Sequence, residues 1–284
     1  MKFGVNTFIW AAGFDPQVIP LEAIKRHGGD GFEFPIFSPQ EVDVEAVKRA
    51  QRDYALECTA VAANPQGINP TSEDRAVRAR SIEHWKRVIE TASRAGSKLL
   101  VGPVYAPVGY LPGRRRTAEE WSWLVEFLRA LDPALGDNGV TLAVEPLNRF
   151  ETYVLNTAAD AVKLVEAAGS PRIGILFDTF HANVEEKDLA EGYRHCGRHL
   201  VHVHACENDR GTPGTGHVDW RGVFAALREI GYDGWLVIES FNGAIPQLAA
   251  ATAIWRDLAP SLDDIAFSGL AFLKKTFETA DGRR

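Results

Sequence analysis

Gly139-Val140-Thr141-Leu142-Ala143-Val144-Glu145-Pro146-Leu147-Asn148-Arg149-Phe150-Glu151 begins as a buried strand and stops on a carboxylate. An ionised group at the end of an apolar run is expensive to bury without a partner, so its position there asks for a function. Three later runs end in the same way. Gly174-Ile175-Leu176-Phe177 ends in Asp178, Leu200-Val201-His202-Val203 in His204, and Trp235-Leu236-Val237-Ile238 in Glu239.

The rest of the chain repeats this rhythm. Strand patterns are expected at Lys2 to Phe8, Asp30 to Phe34, Cys58 to Ala63 and Lys98 to Val104, before the four just quoted. Helical patterns separate them. Ser38-Pro39-Gln40-Glu41 and Thr117-Ala118-Glu119-Glu120 read as capping boxes opening helices to about Tyr54 and Leu135. A long helix is expected from Ser72 to Ala95. Asn156-Thr157 opens one that Gly169 stops, and Asp219 opens one that Gly231 stops. Further helices are expected over Pro20 to His27, Glu186 to Arg194, Ala244 to Leu258 and Leu262 to Thr279. Strands alternating with helices imply parallel pairing. Eight such units close a ring, so the expected fold is α/β, a single (β/α)8 TIM barrel domain over residues 1–284 with an extra C-terminal helix. An open doubly wound sheet would carry a glycine-rich loop after strand one, where this chain reads Asn6-Thr7-Phe8-Ile9-Trp10.

The bulk composition agrees. Of 284 residues, 45% are hydrophobic and 24% charged, enough for a large core without disulfides. Cys58, Cys196 and Cys206 fit no zinc or CxxC spacing, which suits a reducing cytosol. The net charge of −7 opposes a nucleic-acid partner. No apolar run reaches membrane length, and the N-terminus lacks a signal-peptide core, so a cytoplasmic protein is expected.

In a barrel the C-terminal strand ends converge on one face, where Glu145, Asp178, His204 and Glu239 would meet. Each alone could be a solvated loop or core residue. Together, three carboxylates and an imidazole suit a hard or borderline divalent ion: manganese, magnesium, cobalt or zinc. Glu151, His181 and Arg210 follow three of these ligands in the loops and could hold substrate oxygens. A divalent ion can polarise a carbonyl and acidify the adjacent carbon, and Glu145 and Glu239, from non-adjacent strands, could flank that carbon as base and acid. Arg114-Arg115-Arg116 is read as a solvated loop, with a phosphate-binding role as the alternative.

Glu145-Pro-Leu-Asn-Arg-Phe-Glu151, Leu155-Asn-Thr-Ala158, Phe177-Asp-Thr-Phe-His181 and Asn183-Val-Glu-Glu186 resemble the ketose 3-epimerases. So do His202-Val-His204, Asn208-Asp-Arg210, Pro213-Gly-Thr-Gly216, Trp220, Ile230-Gly-Tyr-Asp-Gly234 and Glu239-Ser-Phe241. That group (D-tagatose, D-allulose or psicose, and L-ribulose 3-epimerases) sits within the xylose-isomerase-like barrels. The resemblance implies metal ligands at Glu145, Asp178, His204 and Glu239, most often around Mn2+, with Mg2+ or Co2+ as alternatives. It implies a C3 proton exchanged by Glu145 and Glu239 through a cis-enediolate, and Glu151, His181 and Arg210 on the O1 and O2 end of a ketose. A homodimer or homotetramer is likewise implied. Trp10 and Phe241 are candidates for an apolar wall over the sugar. Departures at Pro146, Ala205-Cys206-Glu207 and Ser240 leave the particular sugar open. So do related reactions: hydroxypyruvate isomerase, inosose dehydratase, and 3-keto-glycoside or sugar-phosphate enzymes. An endonuclease IV-type DNA-repair enzyme would need further histidines at strand ends that read Phe32-Glu33-Phe34-Pro35 and Val61-Ala62-Ala63-Asn64.

Overall fold

A computed structural model of the chain describes residues 1–279. Eight parallel strands close into a barrel in sequence order: β1 (Lys2–Asn6), β2 (Gly31–Pro35), β3 (Glu57–Val61), β4 (Leu99–Gly102), β5 (Thr141–Val144), β6 (Ile173–Asp178), β7 (Leu200–His204) and β8 (Trp235–Ile238). The ring closes where β1 pairs with β8, from Lys2 opposite Trp235 to Val5 opposite Ile238. The expected TIM barrel is therefore the fold.

Around it lie α1 (Leu21–Arg26), α2 (Val44–Tyr54), α3 (Arg75–Arg94), α4 (Ala118–Asn138), α5 (Ala158–Ala168), α6 (Thr179–Glu185), α7 (Leu189–Cys196), α8 (Trp220–Glu229), α9 (Pro246–Thr252) and the C-terminal α10 (Gly269–Thr279). Local chemistry explains most boundaries. Thr117 and Glu120 form a complete capping box, and Gly139 ends α4 in the left-handed region at φ 62°. Thr157 caps α5 through the amide of Asp160, and Asp219 caps α8 through that of Gly222. None of the helices among the described residues is long and apolar enough to cross a membrane.

Several expected boundaries are corrected. Ser38 makes no cap bond; Pro39–Glu41 is one 3-10 turn, and α2 starts later, capped by Asp43 through the amide of Ala46. Asp43 wins because its carboxylate is placed to satisfy a free amide of the first turn. Strand one stops at Asn6, whose side chain caps a 3-10 turn over Thr7–Ile9. The helix expected over Glu186 to Arg194 is α7, capped by Asp188. The short α6 before it starts directly from the side chain of Asp178. Between Ala244 and Leu258 only α9 is helical, and a π-helical turn at Asp264–Ser268 precedes α10.

Apolar residues alternate between the two faces of the strands. Leu100, Leu142, Val144, Ile175 and Phe177 join the large core under the helices, whereas Leu99, Val101, Ala143 and Leu176 form a smaller cluster with Phe8 and Leu248. A polar layer crosses the first strands in register: Asn6 opposite Glu33, and Glu33 opposite Thr59. At the end of β4, Gly102 adopts φ +134°, and a Cβ there would stand 2.1 Å from the carbonyl oxygen of Ala62. Only glycine fits that approach.

Candidate active site

The four strand-end residues meet. Ligand atoms of Glu145, Asp178, His204 and Glu239 all lie within 4.8 Å of one another, and all four residues are buried. His204 Nδ1 is 3.3 Å from Glu239 Oε2, 3.8 Å from Glu145 Oε1 and 3.9 Å from Asp178 Oδ2. Glu145 follows β5, and the buried Tyr105 hydroxyl donates to its carbonyl oxygen at 2.9 Å.

Two atoms in this cluster, Glu145 Oε1 and His204 Nδ1, are buried without a hydrogen-bond partner among the described residues. Buried polar atoms are almost always satisfied, and an ion is one of the standard explanations for an exception. Oxygen and imidazole donors crowded this closely fit a divalent cation such as manganese, magnesium or cobalt. Cys206 Sγ lies 3.3 Å from Asp178 Oδ2. Burial and the Asp178 charge push its thiol well above the ordinary range, so it offers no thiolate.

Electrostatics separate the carboxylates. Burial pushes Glu145 well above the ordinary glutamate value, with Glu239 and Asp178 adding to the shift against His204. Burial would also raise Glu239, but His204 and Arg210 hold it below.

Arg210 reaches the same centre from the loop after β7. Its Nη1 donates to Glu239 Oε2 at 2.8 Å and lies 3.3 Å from Asp178 Oδ2. Its backbone sits at φ 63°, unusual for a non-glycine residue. Glu207 holds that loop. Its fully buried carboxylate accepts from the amides of Gly214 and Val218 and from the Trp220 indole, at 2.8 to 3.0 Å.

His181 lies on α6. Its Nδ1 accepts from the Asn148 amide at 3.2 Å, and its Nε2 points at Glu145 Oε1, 3.7 Å away. Burial, reinforced by Arg210 and His204, pushes its pKa well below the usual histidine value, so the ring is neutral. Burial raises Glu151, which accepts from Asn148 Nδ2 at 2.8 Å.

These groups line a cavity of about 260 Å³. Glu145, Glu151, His181, Arg210 and Glu239 form its polar part, and Phe8, Phe37, Val108, Phe241 and Leu248 an apolar part. Phe241 thus faces the cavity, stacked on Phe8 at 5.2 Å. Trp10 does not: its indole donates to Asp263 at 2.9 Å and its ring packs against Phe267. The arginine loop is exposed at Arg114 and Arg115, as expected of a solvated loop, but two of its arginines are engaged. Arg114 forms a fork with Glu120, and Arg116 donates to the Val154 carbonyl and stacks on Trp121. None of the three arginines lines the cavity.

Sequence reasoning missed the residues behind His204. Glu33, on β2, is fully buried and within reach of both His202 and His204. The available signal was a carboxylate inside, rather than after, an apolar strand.

A barrel with this centre has a recognisable ancestry: the chain belongs to the xylose isomerase-like TIM barrel family, whose pattern matches residues 21–274. Its relatives are narrower in kind. A probable ketose 3-epimerase of Synechocystis sp. is 37% identical over 98% of both chains. The L-ribulose 3-epimerase of Mesorhizobium japonicum is 32% identical over 98% of this chain and 95% of its own. Among solved structures, D-allulose 3-epimerase from Methylomonas sp. in complex with D-allulose superposes with a TM-score of 0.92, at 28% identity over 97% of each chain. Ketose 3-epimerases are isomerase-class enzymes, and this chain is similar to them along nearly its whole length.

Proposed function

We propose that the protein epimerises free ketoses at C3 using a divalent metal ion, Mn2+ foremost and Mg2+ or Co2+ as alternatives. The observation that carries this reading is the convergence of Glu145, Asp178, His204 and Glu239, with ligand atoms all within 4.8 Å of one another. Glu145, Asp178, His204 and Glu239 would hold the ion. When bound, it supplies polarisation of the C2 carbonyl, which acidifies the C3–H bond.

The residues of this chain do the rest. Glu239 accepts the C3 proton, and the electron pair delocalises towards O2 as a cis-enediolate. Glu145 delivers a proton to C3 from the opposite face. One C–H bond breaks and one forms, and the reverse reaction exchanges the two roles. Neutral His181 and cationic Arg210 orient the O1 and O2 end and support charge developing there, with Glu151 accepting from a hydroxyl. Phe8 and Phe241 cover the sugar from the apolar side. Among the described residues lining the cavity, Arg210 is the one permanent cation, and it is engaged by carboxylates. That favours free ketoses over phosphorylated ones.

The test is solvent exchange. Metal-stripped protein is resupplied with Mn2+ and incubated in heavy water with tagatose, fructose, allulose or ribulose, free and phosphorylated. Mn2+-dependent deuterium at C3, together with the C3 epimer, is expected with free ketoses. Label at C1 instead would make the protein an aldose–ketose isomerase.

A further inference from the structure

The carboxylate of Glu33 meets polar groups of three strands at its two oxygens. Oε1 accepts from Asn6 Nδ2 at 2.9 Å and faces His204 Nε2 at 2.7 Å. Oε2 accepts from Thr59 Oγ1 at 2.9 Å and faces His202 Nε2 at 3.0 Å. The orientation of Asn6 is not free, because its Oδ1 already accepts from the Phe8 amide at 2.9 Å. Its Nδ2 must therefore point at Glu33. Asn6 Nδ2 and Thr59 Oγ1 each donate to one of its oxygens, so the carboxylate meets the imidazole as an acceptor. An ionised carboxylate only accepts hydrogen bonds. With the hydrogen of Nε2 directed at Glu33, His204 has Nδ1 left as its ligating atom. That is the atom facing Glu145, Asp178 and Glu239, with no hydrogen-bond partner of its own among the described residues.

We infer that Glu33 is a positioning residue of the metal centre: it fixes the tautomer and the orientation of His204 so that Nδ1 is presented as a ligand. Asn6 and Thr59 hold Glu33 in turn, with His202 Nε2 3.0 Å away, linking β1, β2, β3 and β7 around the centre. The inference rests on the metal-centre reading above. A carboxylate behind a ligating imidazole also makes the ring a stronger donor, and loss of such a partner typically costs about 10–100-fold in metal affinity.

The test compares Mn2+ affinity, read as free Mn2+ by electron paramagnetic resonance, in wild-type protein and in the variants Glu33→Met and Glu33→Gln. The melting temperature of each metal-free protein is measured in parallel. Glu33→Met keeps bulk and removes every acceptor, so Mn2+ affinity is expected to fall about 10–100-fold. Glu33→Gln keeps a carbonyl oxygen where Asn6 demands one, and so keeps the tautomer but not the charge; its affinity is expected between the other two. A purely structural role would move melting temperatures without this ranking. Folded Glu33→Met that binds Mn2+ as tightly as wild type overturns the inference. Should Glu33→Met fail to fold, Glu33→Gln decides, and wild-type affinity in that variant overturns it equally. Wild-type protein that takes up no Mn2+ overturns the metal-centre reading itself and this inference with it.

Discussion

Arg210 donates to Glu239 at 2.8 Å from a backbone held at φ 63°, so a strained loop residue supplies the buried counter-charge for a strand-end carboxylate. The guanidinium spans from Glu239 to the His181 ring, with Nη2 3.0 Å from His181 Nε2. Arg210→Lys keeps the charge and loses the fork. Its kcat/KM is expected to fall about 10²-fold or more, the size of losing one oriented donor. Mn2+ affinity, followed by calorimetry, is expected to change little.

The two glutamates should be separable by the epimer they act on. Glu145→Gln and Glu239→Gln are each expected to lower net epimerisation by about 10²–10⁴-fold. Residual deuterium exchange at C3 should then survive in one epimer only, and in opposite epimers for the two variants. NMR of each ketose of an epimeric pair in heavy water reads this directly. Full turnover by Glu239→Gln would remove that residue from the chemistry.

Metal should stabilise the fold. Glu145, Asp178 and Glu239 crowd one buried point, and a ligand that binds only the folded state stabilises it in proportion to the logarithm of its saturation. Mn2+ at about 100 times its dissociation constant is expected to add about 2.7 kcal/mol. Thermal melts with chelator and with increasing Mn2+ give the measurement; a melting temperature independent of Mn2+ contradicts the expectation.

A pH prediction concerns the loop after β4. Burial would raise Glu120, but Arg114, the Thr117 amide and the Tyr153 hydroxyl hold it below the ordinary value of 4.5. A depressed carboxyl stabilises the fold above its unfolded pKa and loses that contribution as pH falls through the folded one. Glu120→Gln is therefore expected to cost about 1–3 kcal/mol at pH 7. The gap to wild type should narrow as pH falls below 4.5. Denaturant melts of both proteins across that range provide the check. The variant should leave selectivity between free and phosphorylated ketoses unchanged, since Arg114 does not line the cavity.

Much of this molecule was legible because its signals are local. A strand that stops on Glu145 or Asp178 announces itself within a few residues, and Thr117, Thr157 and Asp219 cap the helices their neighbours suggest. Barrel geometry then gathers the strand ends without further information. The failures have the opposite character. Ser38 competes with Asp43 for the same helix start, and only the path of the chain decides between them. Trp10 follows a 3-10 turn that breaks the strand alternation, so its direction could not be read from parity. Glu33 meets His204 across the barrel interior, and no short window of sequence contains both partners.

The four converging acceptors come from β5 to β8, while the carboxylate behind His204 comes from β2 and its supports from β1 and β3. Neither half of the chain owns the centre. A polypeptide emerging from the ribosome would have to finish β8, and dock it on β1 through bonds such as Lys2 N to Gly234 O, before this arrangement exists. Long-range closure of this kind is a slow step in folding. Tight uptake of Mn2+ during refolding would therefore time the final joining of the ring, distinguishing finished molecules from compact but open ones.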